Sequence, residues 1–182
     1  YQVGMVGKYN LEQMLRLPVE VTLASEFRYM DPIVDERTLV VVISQSGETL
    51  DTMAALREAR RRGARILSIV NVAGSSIARE SDQVLYTWAG PEIAVATTKA
   101  YTTQLAVMNL LGLYMSRVLG SMAAEDRRAV LEDFRTLPEK LERVLENREA
   151  VQYFASQYFN RDSVFYIGRN IDYALGLEGS LK

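Results

Sequence analysis

The sequence of 182 residues contains neither cysteine nor histidine. Without cysteine the chain can form no disulfide, no thiolate zinc site and no cysteine nucleophile. Without histidine, acid–base chemistry within the chain depends on Asp, Glu, Lys or Tyr, or on groups supplied from elsewhere. We expect neither a metal nor a cofactor here.

A strong charge of either sign is also lacking, since 21 basic and 23 acidic residues leave a net charge of -2. Bulk electrostatic binding of nucleic acid needs a basic surface, so we expect no nucleic-acid partner. The uncharged stretch 100–116 is too short and too often interrupted by polar residues for a membrane span. No signal segment opens the chain, and we therefore expect no membrane partner and a cytoplasmic location.

The composition is that of an ordinary globular protein, with 48% apolar and 24% charged residues. The length suits one domain and part of another. Because the chain opens with Tyr1 and its last residues have a helical pattern, we expect a fragment of a longer protein. We expect a first α/β domain over 1–120 that lacks its first strand, a helical connector over 121–160, and the start of a second, similar unit over 161–182.

Alternating strand and helix patterns predict a parallel, doubly wound (flavodoxin-like) α/β sheet flanked by helices. The predicted strands are a short one at 19–24 and three at 38–43, 65–70 and 83–88. The predicted helices cover 1–16, 50–62 and 97–119, with brief turns near 25–26 and at 77–80. In the connector, Pro138 predicts a helix break, and beyond it we expect a strand at 163–167 and a helix from 172 to 182.

The segment SQSGET directly follows the predicted strand at 38–43. In open α/β sheets ligands bind beyond the carboxyl ends of the strands, where helix N-termini present N–H groups. The hydroxyls of Ser44, Ser46 and Thr49 and the amide of Gln45 can surround a phosphate. No nucleotide P-loop or dinucleotide motif is present, so we predict a phosphomonoester on a small polar body. The alternative for Thr49 is that it only caps the next helix.

Glu178 and Lys182 are four residues apart in a predicted helix, so their side chains can touch. This spacing is usual for an exposed ion pair. A lysine that is partly shielded from water beside a carboxylate can instead take part in proton transfer. We therefore treat Lys182 as a catalytic candidate, with Glu178 in a supporting role.

Several segments resemble the isomerase part of the glutamine–fructose-6-phosphate aminotransferases, also called glucosamine-6-phosphate synthases. They are ASEFRY (24–29), SQSGETLDT (44–52), NVAGSSIARESD (71–82) and GPEIAVATTKAYTTQL (90–105). Sugar-isomerase (SIS) domains in general share the SQSGET type of loop, whereas ASEFRY and GPEIAVATTKAYTTQL point to this family. YIGRN (166–170) and ALGLEGSLK (174–182) resemble the start of the family's second SIS domain.

The resemblance implies an SIS fold and a role in amino-sugar biosynthesis. Fructose 6-phosphate would receive glutamine-derived ammonia and be isomerised to glucosamine 6-phosphate. It also implies a role for each matching residue: Ser44, Gln45, Ser46 and Thr49 as phosphate ligands, Val95 and Thr97 as lining of the sugar, and Lys182 near the reacting carbons. Thr97 stands where many relatives have Ser, and Ser180 replaces the Ala of the family's E-G-A-L-K motif.

The resemblance further implies a glutaminase domain in the same polypeptide, absent from this sequence, and a homodimer. The family's catalytic base, its ring-opening histidine and its Schiff-base lysine fall outside the chain. We therefore expect the fragment alone to bind sugar phosphate without turnover. Two alternatives remain open: a non-catalytic SIS protein that senses a sugar phosphate, and a fructosamine deglycase with the same fold.

Overall fold

A computed structural model describes residues 1–94 and 96–182. Within them the strands are β1 (Leu39–Ser44), β2 (Arg65–Val70) and β3 (Gln83–Tyr86). The helices are α1 (Gln2–Leu15), α2 (Ala24–Phe27), α3 (Leu50–Arg61), α4 (Ser76–Glu80), α5 (Thr98–Leu119), α6 (Ala124–Glu146), α7 (Arg148–Tyr158) and α8 (Ile171–Ser180).

The three strands form one parallel sheet in the order β1-β2-β3. Ser44 at the end of β1 lies opposite Val70 at the end of β2, so both strands end at the same edge. The central strand is buried from Ile66 to Val70. Burial on both faces explains why its sequence is almost continuously apolar and why its bounds could be predicted.

Helices cover both faces of the sheet. On one face, Leu56 and Ala59 of α3 and Ile77 of α4 are buried in a cluster that contains Ile66. On the other face, α1 and α5 bury a second cluster around Leu67 and Ile69, to which they contribute Val3, Leu11, Leu15, Met108 and Leu111. Successive residues of β2 point to opposite faces, and each face has its own cluster. The predicted α/β fold class is confirmed.

Helix α5 contains the uncharged stretch 100–116, and its buried face packs on the sheet through Met108 and Leu111. The stretch is therefore part of the core, as its polar interruptions predicted. Among the described residues, none of the helices combines the length and the apolar character that crossing a membrane requires.

The helical connector differs from the prediction at Pro138. Helix α6 continues through this residue to Glu146, and α7 begins at Arg148 after the single residue Asn147. A proline inside a helix removes one backbone hydrogen bond, and water can satisfy the carbonyl that is left when the helix is exposed. Since α6 has no buried residue among those described, the predicted break at Pro138 is wrong for this reason.

Two predicted strands are absent from the described structure. Residues 19–24 are irregular up to the start of α2, and Val19 bonds to side chains of α1: its N–H donates to Glu12 and its carbonyl accepts from Lys8. Residues 163–167 are also irregular, with Phe165 and Ile167 largely exposed. A strand needs a hydrogen-bonded neighbour, and no described segment pairs with either stretch.

Helix α8 packs against α1 and buries Ala174 completely. This packing brings residues 178–182 to the edge where the strands end, because α1 begins beside Ser44 and Gln45. The helix predicted from residue 172 is confirmed, and its position depends on a contact with the first helix of the chain.

Candidate functional site

The loops that follow β1 and β2 contact each other through the main chain. The N–H of Asn71 donates to the carbonyl of Gln45 at 3.1 Å, and the N–H of Ile77 donates to the carbonyl of Gly47 at 2.9 Å. Both loops lie at the carboxyl edge of the sheet because the strands are parallel. This is the edge at which the sequence predicted a ligand.

The hydroxyls of the SQSGET loop bond to one another and to the loop backbone. Ser44 Oγ lies 3.1 Å from Thr49 Oγ1 and accepts the N–H of Gly47 at 3.0 Å. Ser46 Oγ accepts the N–H of Glu48 at 3.2 Å. A hydroxyl that accepts still has its own proton to donate. Ser46, and one member of the Ser44–Thr49 pair, therefore keep an O–H donor for a ligand.

Thr49 occupies the N-cap position of α3, but its side chain makes no capping hydrogen bond there. Its hydroxyl is paired with Ser44 instead. The first N–H groups of α3 therefore have no side-chain cap from Thr49, and the positive end of this helix of 12 residues adjoins the loop. The first turn also contains Asp51. The interpretation of Thr49 as a mere cap does not agree with this geometry.

A cavity of about 160 Å³ lies beside the loop. Its lining comes from the ends of β1, α1, α5 and α8, and four of the residues are ones that the sequence predicted: Ser44, Gln45, Thr97 and Glu178. Ser46, Thr49 and Lys182 are not among the lining residues. The predicted sugar contact Val95 lies outside the described residues. The structure thus brings part of the predicted set to one cavity.

Thr97 immediately precedes α5 and has a φ of 38°, in the left-handed region that non-glycine residues seldom adopt. Its hydroxyl donates to the carboxylate of Glu92, which also accepts the N–H groups of Ile93 and Ala94 at 2.9 Å. The hydrogen bond from Thr97 is the main reason that the pKa of Glu92 is lowered, followed by the N–H of Ala94. Glu92 thereby holds this unusual backbone turn at the cavity.

Lys182 and Glu178 form an ion pair with Nζ and Oε1 2.8 Å apart. Their side chains are only 26% and 14% exposed. The pair is therefore partly shielded from water, whereas an i, i+4 pair on a helix is usually fully solvated. Lys182 also donates to the carbonyl of Ala96, next to Thr97. The pair therefore connects the end of α8 to the segment that enters α5.

The family of the chain follows from a comparison with known domains. The SIS domain model matches residues 1–114, which contain the whole sheet and the SQSGET loop. The chain belongs to the SIS-domain family.

The relatives of this SIS domain include long enzymes. The glutamine–fructose-6-phosphate aminotransferase (isomerizing) of Caldanaerobacter subterraneus subsp. tengcongensis is 56% identical over all 182 residues, and that of Streptomyces coelicolor is 48% identical over 182 residues. The chain spans 30% of the length of each.

Among solved structures, the C-terminal domain of glucosamine-fructose-6-phosphate aminotransferase from Francisella tularensis matches with a TM-score of 0.96 and 34% identity. The match covers 100% of this chain and 51% of that one. These similarities confirm the resemblance that the sequence motifs indicated.

Among the lining residues of this SIS domain that were not predicted, two on α5 carry polar side-chain groups. Gln104 is only 8% exposed, and the hydroxyl of Tyr101 is buried without a hydrogen-bond partner among the described residues. Burial raises the pKa of Tyr101, and the negative charge of Glu178 adds to the shift. The available signal in the sequence was spacing, since 97, 101 and 104 share one face of the predicted helix 97–119, which is otherwise mostly apolar.

Proposed function

We propose that this chain is the sugar-phosphate-binding isomerase part of a glutamine–fructose-6-phosphate aminotransferase. The enzyme would convert fructose 6-phosphate and glutamine-derived ammonia to glucosamine 6-phosphate in amino-sugar biosynthesis. The main support is that Ser44 and Gln45 of the SQSGET loop line one cavity together with Thr97 and Glu178, in a chain 56% identical to an enzyme of this name. This identity over the full chain favours the aminotransferase over a sensor or a deglycase.

In this proposal the SQSGET loop binds the phosphate. Ser44, Gln45, Ser46 and Thr49 are the proposed phosphate ligands: Gln45, Ser46 and one hydroxyl of the Ser44–Thr49 pair donate to the phosphate. The N-terminal end of α3 adds a favourable field. Because none of these side chains is charged, phosphate recognition depends on directed hydrogen bonds and less on net attraction. The hydrogen bond between Ser44 and Thr49, at 3.1 Å, holds their two hydroxyls next to each other.

The sugar body would lie against the segment that enters α5, where Val95 and Thr97 are the proposed contacts. Lys182 would lie near the reacting carbons. Ammonia adds to the carbonyl carbon of the ketose, and the carbonyl oxygen leaves as water to give an imine at C2. A proton then moves from C1 to C2 and the C1 hydroxyl proton passes to the nitrogen, so that C1 becomes the carbonyl carbon of the 2-amino aldose. The ammonium of Lys182 can stabilise the negative charge that develops on a sugar oxygen, and Glu178 holds that ammonium in place at 2.8 Å.

We infer that the full-length protein has a glutaminase domain, acts as a homodimer and is cytoplasmic. The names of the relatives specify glutamine, and the chain spans only 30% of their length, which leaves room for a separate ammonia-producing domain. The predicted partners of the site are therefore fructose 6-phosphate, glucosamine 6-phosphate and the rest of the same polypeptide.

Calorimetric titration of the full-length protein tests the phosphate loop. Fructose 6-phosphate is expected to bind, whereas fructose or inorganic phosphate alone binds far more weakly. Ser46→Ala should weaken binding about 10- to 100-fold, because a hydrogen bond to a charged group contributes about 1.5–3 kcal/mol. Ser156→Ala, on the exposed face of α7, is the control and should bind normally.

Product analysis separates the enzyme from the sensor. The enzyme forms glucosamine 6-phosphate from fructose 6-phosphate and glutamine, whereas a sensor binds the sugar phosphate and leaves it unchanged. Failure of the full-length protein to bind fructose 6-phosphate, or an equal loss of affinity in Ser46→Ala and Ser156→Ala, would overturn the proposed site.

A further inference from the structure

Asn71 is the first residue after the central strand β2, between the loop that follows β1 and the segment that follows β3. Its backbone N–H donates to the carbonyl of Gln45 at 3.1 Å. Its side chain bonds on the other side, to residues 87–90. Asn71 is therefore hydrogen-bonded to both neighbouring segments of the candidate site.

The side-chain amide of Asn71 has one orientation that satisfies its neighbours. Its Oδ1 accepts the N–H of Ala89 at 2.8 Å and the hydroxyl of Thr87 at 3.0 Å. Its Nδ2 donates to the carbonyl of Gly90 at 2.8 Å. Since the N–H of Ala89 can only donate and the carbonyl of Gly90 can only accept, the reversed amide would lose both bonds.

These bonds hold a turn whose backbone is unfavourable. Trp88 has a φ of 53° and Gly90 a φ of 72°, and the left-handed region is costly for a residue such as tryptophan. The side chain of Trp88 is 78% exposed, so burial does little to offset that cost. The hydrogen bonds of Asn71 to the residues on either side of Trp88 stabilise the turn, together with the bond from the N–H of Thr87 to the carbonyl of Val70 at 3.0 Å.

The turn at 87–90 fixes the start of the segment that runs to Thr97. The backbone N–H of Asn71 holds the carbonyl of Gln45. Both Gln45 and Thr97 line the cavity. We propose that Asn71 is a positioning residue for sugar-phosphate binding, which sets the separation between the SQSGET loop and the segment that leads to Thr97. This inference rests on the proposed function, because the affected ligand is the sugar phosphate.

Three single variants of the full-length enzyme test the proposal. Asn71→Ala removes all of the side-chain bonds, and Thr87→Val removes one of them while keeping the shape of the side chain. Asn10→Ala is the control: this half-buried asparagine donates to Asn109 at 2.8 Å, between α1 and α5, and does not line the cavity. Each variant is measured for KM of fructose 6-phosphate, for kcat and for melting temperature.

Asn71→Ala is expected to raise KM about tenfold or more, and Thr87→Val to raise it less. The double variant should have the KM of Asn71→Ala, because the hydroxyl of Thr87 acts through Asn71. Asn10→Ala should lower the melting temperature and leave KM unchanged, as a purely structural role would. If Asn71→Ala lowers the melting temperature at an unchanged KM, Asn71 has no positioning role, although the proposed function stands. If the wild type binds no sugar phosphate, both proposals fail.

Discussion

The carboxylate of Glu48 accepts a hydrogen bond from the backbone N–H of Ser76, with Oε1 2.8 Å from that nitrogen. This bond joins the SQSGET loop to the first turn of α4. It is also the main reason that the pKa of Glu48 is lowered, with Arg79 contributing a smaller attraction. The one charged side chain of the loop is thus engaged with the neighbouring segment.

Replacing Glu48 separates its hydrogen bond from its charge. Glu48→Gln keeps an oxygen that can accept the N–H of Ser76, whereas Glu48→Ala leaves that N–H without this acceptor. We expect the melting temperature to fall more for Ala than for Gln at pH 7. Because the folded pKa is depressed, the contribution of the carboxylate is present above its ordinary pKa and is lost as the pH falls through the lowered value. Melting curves from pH 7 to pH 3 should therefore converge for wild type and Glu48→Gln, and parallel curves would contradict this account.

Substitution of Gly47 tests the close contact between the two loops. Gly47 has a φ of 69°, and a Cβ there would overlap the hydroxyl of Ser75 and lie 2.5 Å from its Cβ. Gly74 has a similar φ of 72° but open space around the Cβ position. Gly74→Ala should therefore cost only the backbone strain, about 1–2 kcal/mol, whereas Gly47→Ala costs more. The free energies of unfolding from urea titration check this, and equal losses would show that Ser75 moves aside easily.

We predict that the ion pairs of Glu58 at the end of α3 lose their contribution to stability in acid. The hydrogen bonds from Arg61 and then Arg62 lower the pKa of Glu58 to about 2. A depressed folded pKa contributes stability above the ordinary value near 4.5, and that contribution disappears between about pH 4.5 and pH 2. Urea titrations across this range should show a shallower loss of stability in Glu58→Gln than in wild type. Glu142→Gln, on the exposed surface of α6, should follow the wild-type curve.

We predict that replacing Lys182 lowers turnover without weakening the binding of the sugar phosphate. If Lys182 has the proposed position near the reacting carbons, Lys182→Met should lower kcat of the full-length enzyme by about 10²-fold or more, because a charge positioned there acts mainly on the transition state. KM for fructose 6-phosphate should change little. Lys140→Met is the matched control, since Lys140 on exposed α6 also pairs with a carboxylate, that of Asp133, at 2.8 Å. A raised KM at normal kcat would assign Lys182 to binding alone.

Local sequence patterns were sufficient to predict the three strands that form the sheet. Residues 65–70 form a strand with the predicted bounds, and residues 50–61 form the predicted helix within one residue. A strand that is buried on both faces must be apolar at nearly every position, and a helix that covers a sheet must be apolar on one side. Both requirements are visible in the residues themselves. For the same reason the SQSGET loop could be placed at the carboxyl edge of the sheet.

Tertiary structure alone decided the features that depend on distant partners. The stretches 19–24 and 163–167 have strand-like patterns but no neighbour to pair with in the described chain, and Pro138 does not break an exposed helix. Which hydroxyls face the cavity also depends on contacts across the fold, such as the one that brings Glu178 of α8 beside Ser44. Periodicity determines which side of an element is buried, whereas a binding site depends on which elements meet. Only packing over long sequence separations decides that.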